Sequence, residues 1–302
     1  MPYAAFVTLS LIWGGSFLAI KITVQDMSPT VLLLFRSIAG FVALALIVLV
    51  LRKPLFGPGW RGRVFGFAFM AVTNAVIPWV SIAWGEERIS SGLASILNST
   101  TTLWTAVLIF WVVPSERPSL VNYFGVLIGF AGVVVLVYPA LATHGVSGDL
   151  LGALAVVLAS LSYAVNALYQ RRKMRSVSIF EVSLGQLAAS VLFAIPIAAP
   201  SLGQIHFRLV SLAAVTALGA LGTGVAYLLY YYVMNTLGAV RASGVTYVVP
   251  VTAVFWGALI LGETVNATII AGMIVIIVGI LLTNLRRTQR AQPAAERDSA
   301  AA

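Results

Sequence analysis

The chain reads as a string of long apolar blocks parted by short polar breaks. Each block has the length that a helix needs to cross a bilayer, about 20 residues for about 30 Å of hydrocarbon. The blocks predict ten membrane-spanning helices over Tyr3–Val24, Thr30–Leu51, Val64–Trp84, Ser91–Val113, Leu120–Tyr138, Leu150–Tyr169, Ile179–Ala199, Leu209–Asn235, Ala242–Leu261 and Ala267–Leu285. The connections are short, and a polar tail from Arg286 reads as disordered. The expected fold class is an all-α integral membrane protein.

Composition agrees. Of 302 residues, 60% are hydrophobic and only 9% are charged, whereas soluble domains carry roughly 25% charged residues. The net charge of +9 would suggest nucleic acid in a soluble protein, but here the basic residues sit in clusters between apolar blocks, so it reports topology. One side of the membrane receives Arg52, Lys53, Arg61, Arg63, Arg117, Arg171, Arg172, Lys173, Arg175, Arg241, Arg286, Arg287, Arg290 and Arg297. The other receives Lys21, Arg88 and Arg208, while Arg36 lies inside a span. This bias predicts that both termini are cytoplasmic. Cysteine is absent, which excludes disulfides, thiolate chemistry and Cys-ligated metals. The block at Pro2 has no charged region before it and no small-residue cleavage site after it, so it reads as a retained helix rather than a removed signal.

The second half of the chain repeats the first. Glu116 precedes Gly125 and Gly132 by 9 and 16 residues, and Glu263 precedes Gly272 and Gly279 by the same intervals. A shift of 150 pairs Trp13 with Tyr163, Ser28 with Ser178 and Arg36 with Gln186. Later, a shift of 147 pairs Trp84 with Tyr231, Ser91 with Gly238 and Glu116 with Glu263. Because five spans per half is an odd number, the second copy must enter the membrane upside down. The expected division is a first repeat over 1–145, an inverted second repeat over 146–285 and a disordered cytoplasmic tail over 286–302. Inverted repeats of this kind build carriers that open alternately to each side.

Trp13-Gly14-Gly15-Ser16-Phe17 in the first span, Arg36 with Gly40 in the second, and Pro250 ahead of Leu261-Gly262-Glu263 in the ninth add to the Glu-anchored repeats. Together they resemble the drug/metabolite transporter superfamily, specifically its ten-helix EamA-like bacterial carriers, over about residues 3–285. That resemblance implies two inverted five-helix halves around a central cavity, lined by helices 1 to 4 and 6 to 9, with helices 5 and 10 outside. It also implies a bacterial inner-membrane carrier that exports or exchanges amino acids and related metabolites. The chain departs from symmetry at Pro250, whose counterpart is Thr102 or Leu103. There the first half must bend less, or bend through Ser99-Thr100-Thr101-Thr102, whose hydroxyls can bond back to the helix.

A carrier needs a hydrated pocket near the midplane. The candidate substrate-binding residues are Trp13, Phe17, Arg36, Asn74, Trp79, Asn98, Trp104, Tyr163, Asn166, Tyr227, Tyr231 and Tyr247, whose aromatic walls and amides suit a small solute with an apolar side chain and polar ends. The alternative is that buried aromatics merely pack, as Trp60, Trp111 and Tyr123 near span ends serve as interfacial anchors. Arg36 lies about 10 Å from its helix end, where an isolated charge is costly. It either anchors a substrate carboxylate or latches a gate, or it snorkels or binds helix-end carbonyls. Glu116 and Glu263 are expected to cap the helices that follow them, or to gate, and Pro250 is expected to bend the ninth span. The helix 5 and 10 glycines read as close-packing points.

No Asp or Glu falls near the middle of a span. Asp149 and Glu181 stand at helix starts, and Asp26, Glu86 and Glu87 are expected in external connections, so proton exchange through a buried carboxylate is not expected. His144 and His206 read as solvated. The resulting expectation is a non-enzymatic carrier of neutral or hydrophobic amino acids, without cofactor or metal. Its partners are the lipid bilayer and a small solute, not nucleic acid, and the sequence leaves the oligomeric state open, a monomer included. A nucleotide-sugar or sugar-phosphate carrier would need several cationic contacts where only Arg36, with Lys21 nearer the rim, is offered. An intramembrane enzyme would need paired aspartates or HExxH, which are absent. A scaffold would not need repeated inward polar and aromatic residues.

Overall fold

A computed structural model of the chain describes residues 1–112, 120–144, 148–206, 208–237 and 244–284. Among these residues ten apolar helices cross the molecule, eight of them long and two shorter. They are α1 (Pro2–Thr23), α2 (Pro29–Val50), α3 (Trp60–Glu86), α4 (Ser91–Val112 in two segments), α5 (Leu120–His144), α6 (Gly148–Lys173), α7 (Ile179–Ala198), α8 (Leu209–Leu237), α9 (Val245–Leu261) and α10 (Ala267–Asn284). Each has a simple local cause. Ser28 and Ser90 accept hydrogen bonds from the amides of Val31 and Leu93, capping α2 and α4. Gly262 takes the left-handed conformation that ends α9. Outward side chains such as Phe65, Leu127, Leu192 and Leu259 are exposed in the isolated chain, and a bilayer is the solvent that suits them.

The packing has a two-fold logic. In the first half α1 packs on α9 and α8, and in the second half the equivalent α6 packs on α4 and α3. Likewise α2 on α8 is matched by α7 on α3, while α2 with α7, α4 with α9 and α5 with α10 are self-matched pairs. The molecule is therefore two inverted five-helix repeats. The α5–α10 pair is set apart, packing chiefly on itself and on α4 and α6. Its glycines act as expected. A Cβ on Gly279 would lie 2.5 Å from the Cα of Gly129 and 2.7 Å from the carbonyl oxygen of Gly125.

Helical irregularities also recur in both halves. The middle of α3 winds as a π-helix over Val72–Val76, and the middle of α8 does so over Ala220–Val225. A π-turn leaves carbonyls free and is common at functional sites. Here they are used alike: Trp13 of α1 donates its indole N–H to the carbonyl of Gly222, and Ser162 of α6 donates its hydroxyl to the carbonyl of Thr73.

The α4 and α9 helices resolve the Pro250 question in an unexpected direction. The proline-bearing α9 is continuous, whereas α4 breaks between Asn98 and Thr101. At the break the hydroxyls of Ser99, Thr100 and Thr101 donate to the carbonyls of Ile96, Leu97 and Asn98 at 2.6, 2.6 and 2.8 Å. Three consecutive hydroxyls that compete for backbone acceptors bend the helix without any proline. Glu116 and the tail over 286–302 lie outside the described residues.

Candidate functional site

The centre of the molecule holds a polar cluster on α2, α3, α7 and α8. Asn74, carried by the α3 π-turn, donates to Oε1 of Gln186 at 3.2 Å and to the hydroxyl of Tyr227 at 3.3 Å. Gln186 donates to the same hydroxyl at 3.0 Å. The phenol oxygen thus accepts twice, and its own hydrogen is left to point at something else. Beside it, Arg36 is buried at 8% exposure, with its guanidinium carbon 3.8 Å from the centroid of the Trp79 ring. Tyr163 and Tyr227 lie close enough to Arg36 to feel its charge. Among the described residues Arg36 forms no ion pair, and its Nε has no hydrogen-bond partner. An unpaired buried cation is costly, and the Trp79 face offsets part of that cost.

The glycine at 219 makes this arrangement possible. A Cβ there would lie 2.6 Å from the Arg36 carbonyl oxygen, so α2 and α8 approach backbone to backbone at the level of the arginine.

The structure brings some candidates together and separates others. Trp79, Asn74, Tyr163, Tyr227 and Arg36 share the centre, with Gln186, which sequence reasoning named only as the mate of Arg36. Asn166 is next to them, accepting from Thr73 at 3.4 Å. Phe17 is buried in the main core, and Trp13 packs on Tyr230 at 5.5 Å. Trp104 instead meets Phe130 of the outer helix α5 edge-on at 4.8 Å. Asn98 ends the first segment of α4 with its Oδ1 buried and unpaired. Tyr247 packs on the core from α9. The side chain of Tyr231 lies outside the described residues.

The end of the bundle away from Met1 is latched by charged groups. Lys21 donates its ammonium to the carbonyls of Glu86 and Ile89, closing the end of α3. Glu263 caps a helix, but not the following one. Its carboxylate accepts from the amides of Ser91 and Gly92 at 2.7 and 3.2 Å and from the Ser91 hydroxyl at 3.0 Å, so it caps α4 of the opposite half. The following helix, α10, is capped by Asn266, which accepts from the amide of Ile269. A second correction concerns Glu86. It belongs to the last turn of α3 rather than to a connection, and it is fully buried.

Ion pairs repeat the inverted logic at both ends. Arg63, in the first turn of α3, binds Glu181 at the start of α7 at 2.5 Å, and Arg208, just before α8, binds Asp26 ahead of α2 at 2.7 Å. The Arg208 hydrogen bond, followed by that from Ser211, holds the Asp26 carboxyl below its ordinary value of 3.8.

Ten apolar helices in two inverted halves, with a polar and aromatic centre and charged latches, define a membrane transporter. The chain belongs to the EamA-like transporter family, which it matches over residues 1–138 and 150–285. It is 27% identical over 288 residues to the inner membrane transporter YedA of Escherichia coli K12, covering 94% of this chain and 90% of that one. It is 25% identical over 289 residues to the transporter YoaV of Bacillus subtilis, covering 94% and 97%. A solved crystal structure with 19% identity superposes at a TM-score of 0.68 over 95% of this chain and 98% of the other, which speaks to the fold alone.

Proposed function

We propose that the protein exports small carboxylate-bearing metabolites, neutral or hydrophobic amino acids above all, by alternating access between its two halves. The observation that carries this reading is the unpaired Arg36 beside the unspent Tyr227 hydroxyl. A carboxylate accepts from both, and a charge-assisted bond to arginine is the stronger of the two. Trp79 and Tyr163 offer apolar walls to a side chain. The halves, taken as 1–145 and 146–285, rock about the centre with both termini cytoplasmic, as the basic clusters at the Met1 end favour. The chain acts as a carrier without chemical conversion.

A nucleotide-sugar carrier is less well supported, because Lys21 is already engaged with carbonyls and Arg36 alone faces the centre. The test is counterflow of radiolabelled amino acids, leucine first, in proteoliposomes, with Arg36→Gln as the comparison. Leucine exchange that Arg36→Gln lowers about tenfold or more supports the proposal. Failure of every amino acid while another solute moves would overturn the substrate class.

A further inference from the structure

Among the described carboxylates Glu86 is the most completely enclosed, and the transport reading gives it no task. It is 0% exposed, and both of its carboxyl oxygens are buried without a hydrogen-bond partner. The groups around it are few. Lys21 from α1 is held by the Glu86 and Ile89 carbonyls, not by the carboxyl. Arg36 from α2 lies within electrostatic range but is stacked on Trp79, and Glu263 from the α9–α10 connection carries a negative charge committed to α4. On α6, packed closely where Gly85 meets Gly152, the charged group is Asp149 in the exposed first turn. The α4 start offers Ser91, which is spent on Glu263. The neighbouring Glu87 pairs with Arg88 at 2.8 Å.

An ionised carboxylate in such a place lacks the hydrogen bonds that replace water. Its companion Glu263 adds repulsion. We propose that Glu86 is a proton-binding site of the carrier, occupied and sealed when the Lys21 and Glu263 latches close the far end, and emptied when that end opens to water. The step is a simple acid dissociation. The O–H bond at the Glu86 carboxyl breaks, its electron pair stays on the carboxylate, and the proton passes to solvent. The freed carboxylate then stands beside Lys21, whose ammonium leaves the α3 carbonyls as the latch opens. Transport is thereby tied to proton movement across the membrane.

This inference rests on the carrier reading, but one measurement tests it apart from any substrate. Infrared difference spectra of the purified full-length protein near neutral pH should contain the carbonyl stretch of a protonated carboxylic acid, sensitive to D2O. The band should shift in Glu86→Asp and vanish in Glu86→Gln. Absence of a protonated-acid band in the wild type overturns the proposal whatever the variants do. So does a band that persists in a folded Glu86→Gln.

In proteoliposomes that exchange leucine, an imposed pH gradient should concentrate labelled leucine. Glu86→Gln should lose that accumulation about tenfold, within the usual range of coupling between sites, while Glu87→Gln keeps it. Undiminished accumulation in Glu86→Gln overturns the coupling. If the wild type moves no leucine, the amino-acid reading fails and the infrared band alone decides the proton site.

Discussion

Arg36 and Trp79 form a stacked pair at the heart of the molecule, with 3.8 Å between the guanidinium carbon and the ring centroid. The contact offsets part of the cost of a buried cation that no carboxylate among the described residues is paired with. Desolvated cation–π contacts are worth about 2 kcal/mol, and a hydrogen bond to a charged group about 1.5–3 kcal/mol. Arg36→Gln is therefore expected to lower counterflow of a carboxylate solute by roughly ten- to a hundredfold. Arg36→Lys should recover only part, because ammonium lacks both the planar fork and the stacking face. Trp79→Leu should weaken solute binding less than Arg36→Gln does. Equal counterflow in wild type and a folded Arg36→Gln would show the arginine to be structural.

Glu263 holds the start of α4 from across the repeat boundary, so its removal should act on the latch and not on α10. Glu263→Ala leaves the amides of Ser91 and Gly92 uncapped and is expected to cost about 2 kcal/mol. The far end should also open more often. The chain has no cysteine, so a single cysteine at Ser90 reports this directly. Its maleimide labelling should be faster in Glu263→Ala than in the parent, and Asn266→Ala should leave it unchanged.

The fold was legible where the signal is local. Apolar block length marks the spans, and the placement of arginines and glutamates marks the inversion. The Ser99–Thr102 hydroxyl run offered a bend, and α4 took it. What escaped were contacts between halves. Nothing near Glu263 in sequence says that its partners are Ser91 and Gly92, because the α4–α9 pairing that unites them is tertiary. Glu86 was misplaced because Gly85-Glu86-Glu87-Arg88 looks like a loop, although α3 continues through it and Lys21 covers it. The π-turns have no side-chain signature. Trp104 shows the converse: amphipathic composition inside a span fits a pocket wall, but its helix face points it to Phe130 on α5.

The Asp26–Arg208 pair gives a pH dependence with a definite sign. The folded-state carboxyl sits below its ordinary value of 3.8 because Arg208, then Ser211, donates to the charged form. A depressed acid contributes stability above its unfolded value, and that contribution is lost as pH falls through the folded value. Thermal unfolding in detergent should thus be insensitive to this pair near neutrality and should weaken as pH drops below about 4. Asp26→Asn should be less stable than the wild type at neutral pH, and the difference between the two should shrink in acid. A gap that stays constant with pH would remove the pair from the account.

The α5–α10 contact makes a purely steric prediction. At Gly279 the two helices meet with no room for a methyl group, since its Cβ would sit 2.5 Å from the Gly129 Cα and 2.7 Å from the Gly125 carbonyl oxygen. Both obstacles are backbone, so no side chain can swing aside, and overpacking of this kind costs typically about 1–3 kcal/mol. Gly279→Ala should lower the unfolding temperature in detergent, and Gly279→Leu should lower it further by forcing the helices apart. At Gly62, where a Cβ meets nothing within 4 Å, alanine should be silent. Because α5 and α10 stand apart from the Arg36 cluster, Gly279→Ala should reduce the amount of folded carrier while leaving the affinity of the remaining protein for its solute unchanged. A change in affinity would mean that the outer pair moves with the transport cycle.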